Sequence, residues 1–215
     1  MMQRRSFLLL AAPLLGASGK PLFDGKSLKG WQPQDGKPQQ WTVEAGLLAN
    51  GPAGKVNNIV SIAQFGDVEL DIEFQIPKGS NSGIYLNGLY EVQIFDSFGA
   101  SKIGTQDGGS IYHRWIDNKP VGGSVARVNA SKPPGEWQTY QISFRAPRFK
   151  DGKKTENAKF LKVIYNGQLV QENVECEGPT RSAMNLPEAP KGPIMIQGDH
   201  GPVKFRKISA RALKA

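Results

Sequence analysis

The chain has 215 residues, a formal net charge of +8, 39% hydrophobic residues and a single cysteine. One cysteine rules out an internal disulfide framework, so stability has to come from an apolar core. The basic residues are scattered rather than ranged in a stripe with interleaved aromatics, which excludes the usual nucleic-acid-binding surfaces.

Residues 1–19 read as an export signal, with Arg4 and Arg5, an apolar run over 7–15, and the small residues Gly16, Ala17, Ser18 and Gly19. The run is well short of the ~20 residues that span a bilayer, so no membrane attachment is expected once the signal is removed. Arg4-Arg5-Ser6-Phe7-Leu8 is similar to a bacterial twin-arginine leader, and a general secretory leader stays open. The expected location is the periplasm or the exterior of a bacterial cell. Residues 20–215 suffice for one all-β domain and are too few for two.

Period-two alternation recurs and no stretch sustains a helical period. The clearest strand covers 68–76, where Val68, Leu70, Ile72, Phe74 and Ile76 alternate with Glu69, Asp71, Glu73 and Gln75. Pro77-Lys78-Gly79-Ser80 then turns into a short strand over 82–87. The next strand sets Tyr90, Val92 and Ile94 on a buried face and Glu91 and Gln93 on a face offered to solvent or ligand. A bulge near Phe95 would bring Asp96 to the side of Glu91. Segment 99–134, rich in Gly, Ser, Asn and Pro, reads as a lid or binding loop, and 178–191 reads likewise. Further strands are expected over 138–145, 160–165, 168–172, 194–197 and 203–211, with Asn166-Gly167 as a two-residue hairpin turn. The basic stretch 145–159 reads as a solvated connection. Cys176, between Glu175 and Glu177, reads as a packed residue whose thiol the flanking charges keep protonated. About ten strands with long loops suggest two antiparallel sheets stacked in a jelly roll.

Several ordered blocks then carry a resemblance. They include Leu22-Phe23-Asp24-Gly25, Asn81-Ser82-Gly83-Ile84-Tyr85, Tyr90-Glu91-Val92-Gln93-Ile94-Phe95-Asp96, Gly109-Ser110-Ile111-Tyr112, Gln197-Gly198-Asp199-His200-Gly201 and Phe205-Arg206. Over nearly the whole exported part the chain resembles the 3-keto-disaccharide hydrolase domain family, formerly a bacterial domain of unknown function. The resemblance implies a concanavalin A-like jelly roll whose long loops cover a concave face. It also implies a glycoside or oligosaccharide substrate oxidised at C3 by a sugar 3-dehydrogenase acting upstream. Lys207 departs from the asparagine expected after Arg206.

A C3 ketone acidifies the C2 hydrogen, so cleavage by elimination and hydration needs a base, donors for enolate charge and an acid for the leaving group. Glu91 is the candidate base, His200 the acid or second base, and Arg206 the donor to the ketone or a hydroxyl. Asn81, Gln93 and Tyr112 are expected to read hydroxyls, and Tyr85, His113 and Trp115 to line the cleft. Conventional hydrolysis would pair Glu91 with Asp96. A non-catalytic carbohydrate-binding module is the alternative from another class. No nucleotide or phosphate fingerprint is present, so no organic cofactor is expected. A divalent cation held by Glu69, Asp71 and Glu73, or by Asp199 with His200, has no diagnostic ligand spacing, and the metal site stays unassigned.

Overall fold

The computed structural model describes residues 19–213, so the expected export signal lies outside the described residues except for Gly19. Among the described residues every regular element is a strand. The first eight are β1 (Lys20–Pro21), β2 (Trp31–Pro33), β3 (Thr42–Glu44), β4 (Leu47–Ala49), β5 (Ile59–Phe65), β6 (Val68–Gln75), β7 (Asn81–Leu86) and β8 (Tyr90–Phe95). A small hairpin, β9 (Arg114–Ile116) and β10 (Lys119–Val121), interrupts the long glycine-rich segment. Then come β11 (Gln138–Arg145), the hairpin β12 (Arg148–Lys150) and β13 (Lys153–Glu156), β14 (Ala158–Tyr165), β15 (Gln168–Cys176), β16 (Gly192–Ile196) and β17 (Lys204–Ala212).

Two antiparallel sheets form a jelly-roll sandwich. One runs β15-β14-β11-β6-β17-β4-β3, with β1 joined to β17, and the other runs β2-β5-β16-β7-β8. The alternation in β6 explains its place: Val68, Leu70, Ile72 and Phe74 are buried against the second sheet, and the acidic residues between them face outward. That outer row pairs with arginines of β17, Glu73 with Arg206 and Glu69 with Arg211. Across the core stand Ile84, Leu86, Tyr90, Val92, Ile94 and Ile196 of the second sheet. The Tyr140 hydroxyl of β11 crosses this core and donates to the Gln93 carbonyl of β8 at 2.6 Å, fastening one sheet to the other.

The strands expected after residue 66 fall where the alternation places them, and Asn166 and Gly167 turn the β14–β15 hairpin with φ of 49° and 82°. The expected count of about ten strands was too low, because short hairpins lack room for alternation. The 145–159 connection is corrected to the β12–β13 hairpin, turned by Asp151 and Gly152 at positive φ. Cys176 is buried, and burial rather than the flanking glutamates is the main cause that pushes its thiol up to about 12.

One buried amide positions the turn between β16 and β17. Asn50 donates to the carbonyls of Gly198 (3.1 Å) and Gly201 (2.9 Å) and accepts from the Val203 amide (2.8 Å). Gly201 lies so close to the start of β7 that a Cβ there would stand 2.5 Å from Ser80 Oγ. Asn50→Ala leaves the Gly201 carbonyl and the Val203 amide without this partner, while the Gly198 carbonyl keeps the Val56 amide (3.1 Å). It should lower unfolding free energy by about 3 kcal/mol in a denaturant titration and reduce turnover through the displaced His200 turn.

Candidate active site

The β7–β8 ladder runs in register from Asn81 opposite Phe95 to Leu86 opposite Tyr90, with Gly83 opposite Gln93 and Tyr85 opposite Glu91. Strand alternation sends Ile84 and Val92 into the core and turns Gly83, Tyr85, Glu91 and Gln93 to the outer face. That face is not open to solvent: Glu91 is 1% and Gln93 3% exposed. Two loops cover it. The 109–112 backbone runs along β8, with the Gln93 amide donating to the Ser110 carbonyl (3.0 Å) and the Tyr112 amide to the Glu91 carbonyl (3.1 Å). The other loop straps the sheet from the far side, with the Arg181 amide on the His113 carbonyl and the Met184 amide on the Gly88 carbonyl, both at 2.9 Å. Ala183 and Met184 pack there on Val60, Tyr85 and Met195. Both irregular segments therefore meet at one place.

Between them opens a cleft of about 160 Å³ lined by Asn81, Glu91, Gln93, Tyr112, Arg181, Ser182, Gln197 and His200. Two clefts are larger, at about 290 and 510 Å³, but neither sets a buried acid beside an imidazole. Glu91 fits because position 83 is glycine: a Cβ there would stand 2.0 Å from Glu91 Oε1. Burial pushes its carboxyl from the ordinary 4.5 up to about 8, the Tyr85 hydroxyl pulling the other way and the Asp199 carboxylate adding to the rise. Glu91 Oε2 has no hydrogen-bond partner, nor do the buried Asn81 Oδ1 and Gln197 Oε1. The Gln93 amide is satisfied when its NH2 faces Glu91 Oε1 (3.3 Å) and the Ser82 carbonyl (3.0 Å). Three buried oxygens at one cleft thus lack a protein partner, which suits a site built to meet hydroxyl groups. At the cleft edge His200 Nδ1 meets Asp199 Oδ1 at 2.6 Å, which leaves the other ring nitrogen for proton exchange.

Of the residues read from the sequence, Asn81, Glu91, Gln93, Tyr112 and His200 come together in this cleft. Tyr85 lies beneath it, its hydroxyl 3.4 Å from the Arg181 carbonyl, and burial with the facing Glu91 holds that hydroxyl protonated. His113 stands behind Tyr112, ring centroids 4.2 Å apart, with Nδ1 on Thr105 Oγ1 at 2.9 Å. Trp115 does not line the cleft either; it supports the Arg181 guanidinium, 4.1 Å above its ring. Asp96 stays outside because the ladder carries no bulge, and its carboxylate accepts from the Gly79 amide (2.8 Å). Arg206 is on the other sheet, where alternation from buried Phe205 turns it outward to Glu73 (2.5 Å) and over Trp137 (4.4 Å), and a bulge then sets Lys207 on the same outer side. The arginine of the cleft is Arg181. Ser182 and Gln197 were missed with it, although Gln197 stands two residues from Met195 on the same face of β16 and its continuation.

Among the described residues no group of three or more His, Cys, Asp or Glu gathers to hold a metal ion.

A model of the 3-keto-alpha-glucoside-1,2-lyase-like domain matches residues 18–211. The chain belongs to this family. This lyase-like domain is 34% identical over 73 residues to a Bacteroides thetaiotaomicron protein named 3-keto-disaccharide hydrolase, which is 30% of this chain and only 25% of that protein. A crystal structure of a candidate glycosyl hydrolase from Parabacteroides distasonis is 31% identical with a TM-score of 0.72, covering 92% of this chain and 84% of that one. A second from the same organism is 25% identical with a TM-score of 0.62, over 90% and 98% of the two chains. The carbohydrate-binding module CBM66 of Bacillus subtilis, 11% identical with a TM-score of 0.53 over 85% of this chain and 96% of that one, shares the fold alone. The family, the Bacteroides protein and the two Parabacteroides structures are named for carbohydrate cleavage, which matches an acid and an imidazole set in one cleft.

The raised carboxyl has a stability consequence. Unfolded Glu91 ionises near 4.5 and folded Glu91 near 8, so the folded state holds the extra proton between those values and loses stability as pH rises through them. Glu91→Gln removes the effect. The variant should match wild type near pH 4 and exceed it above pH 8 by up to about 5 kcal/mol, read from denaturant melts across pH.

Proposed function

We propose that this chain is an exported enzyme that cleaves 3-keto-glycosides, disaccharides included, by elimination and hydration. The observation that carries the reading is Glu91: one buried carboxyl near 8, without a second carboxyl among the residues lining its cleft. A base of that strength suits abstraction of a C2 hydrogen acidified by a C3 ketone. Glu91 takes the C2 proton, and the C–H electron pair becomes the C1–C2 double bond as the C1–O bond breaks. The ketone oxygen carries charge on the way, and Arg181 with the Ser182 or Tyr112 hydroxyl donates to it. His200, oriented by Asp199, gives its proton to the leaving oxygen. Water then adds its hydroxyl to C1 and a proton to C2, leaving a 3-keto sugar and the freed partner. Asn81, Gln93 and Gln197 hold the remaining hydroxyls. The oxidised substrate has to come from a sugar 3-dehydrogenase acting upstream.

Conventional hydrolysis by Glu91 with Asp96 loses support because Asp96 clasps the Gly79 amide outside the cleft. The deciding experiment gives purified protein one disaccharide in native and C3-oxidised forms. Release of free sugar from the oxidised form alone is expected. Cleavage of the native form would instead indicate ordinary hydrolysis, and binding without cleavage of either would indicate a carbohydrate-binding module. On the oxidised substrate Glu91→Gln should lower kcat by about 10²- to 10⁴-fold, and kcat/KM of wild type should rise with pH through about 8. The two arginines separate cleanly: Arg181→Ala should cost about tenfold or more in kcat, and Arg206→Ala should stay within about twofold of wild type.

A further inference from the structure

The Glu91 cleft, at about 160 Å³, is smaller than the ~300 Å³ at which ordinary ligand pockets begin, so it grips one ring and not two. A second cleft of about 290 Å³ adjoins it, and Tyr112 lines both. The partition continues through the strap loop, where Thr180 faces the larger cleft and Arg181 and Ser182 the smaller. We propose that this larger cleft receives the leaving half of the substrate, and that it selects a second sugar. The inference rests on the reading of the Glu91 site as a 3-keto-glycoside lyase.

The lining has the chemistry for a hydroxylated ring. Ile111 and Val121 supply apolar surface, and Arg114 supplies a half-buried guanidinium fixed by Glu177 at 2.5 Å. A fixed fork of donors beside apolar surface suits a sugar, which presents both C–H faces and hydroxyls. Nothing in this cleft reacts: burial keeps the Cys176 thiol protonated, so the cleft binds and does not attack.

Gly178 is the telling residue. Its φ is not in the left-handed region, so the backbone does not demand glycine there, and a Cβ would meet only Arg114, at 3.6 Å and 3.7 Å. The missing side chain leaves space beside the guanidinium. Position 178 is therefore a place where the cleft can be filled without straining the chain.

The test compares two C3-oxidised substrates, a disaccharide and a methyl glucoside whose leaving group is methanol, on wild type, Gly178→Leu and Arg114→Met. Gly178→Leu is expected to lower kcat/KM for the disaccharide about tenfold or more while the methyl glucoside stays within about twofold. Arg114→Met should act in the same direction, mostly through KM, and it carries the test alone if the leucine variant fails to fold. Equal effects on both substrates, or none on either, would overturn the subsite while leaving the lyase reading intact. If wild type cleaves neither oxidised substrate, the lyase reading falls and the subsite falls with it.

Discussion

Glu91 is a carboxyl group buried on a strand face, in a space that exists only because the facing strand carries a glycine. Ionising it there costs several kcal/mol more than in water, so the folded protein holds the acid form up to about pH 8, and the carboxylate that forms above it is a proton acceptor of unusual strength. The rest of the molecule maintains that condition. The ladder fixes which face Glu91 takes, the Tyr140 hydroxyl fastens its strand from behind, and the two loops keep solvent off the front. Loosening any of the three would let water in and return the carboxyl towards its ordinary strength.

The two sheets divide the work. The sheet containing β6 and β17 turns its outer face to solvent and neutralises its own acids with its own arginines, so it supplies core and solubility. The other sheet packs one face on the core, and on its outer face the strap covers the part around Tyr85 and Met195 while the 109–112 segment closes the β8 edge. Function collects where a sheet face is roofed by irregular chain, because only there can polar groups be dry and yet reachable by a ligand.

Much of this was legible from residue pattern. Alternation placed β6, β8, β11 and β17 and put Glu91 and Gln93 on a shared face, since a period of two is a local property of the chain. The resemblance added His200. What escaped depended on long-range packing. Arg181 sits in a loop without periodicity, and only the strap's pairing with His113 brings it to the cleft. Arg206 follows buried Phe205 and so faces outward by alternation, but on the sheet that does not carry Glu91, and which sheet a strand joins is not a local property of the sequence. Asp96 failed differently: a bulge was required and the ladder has none. Of the solvent or ligand to which the Glu91 face reads as open, loops from distant parts of the sequence shut out the first.

The places of the last two long strands bear on how the protein is made. β16 lies between β5 and β7, and β17 between β6 and β4, so each sheet stays split in two until these two strands arrive. A ribosome that has already released β7 and β8 has made the hairpin bearing Glu91 but no sandwich to hold it. Closure must wait until β16 and β17 have been made, and before that the nascent chain exposes two open sheets.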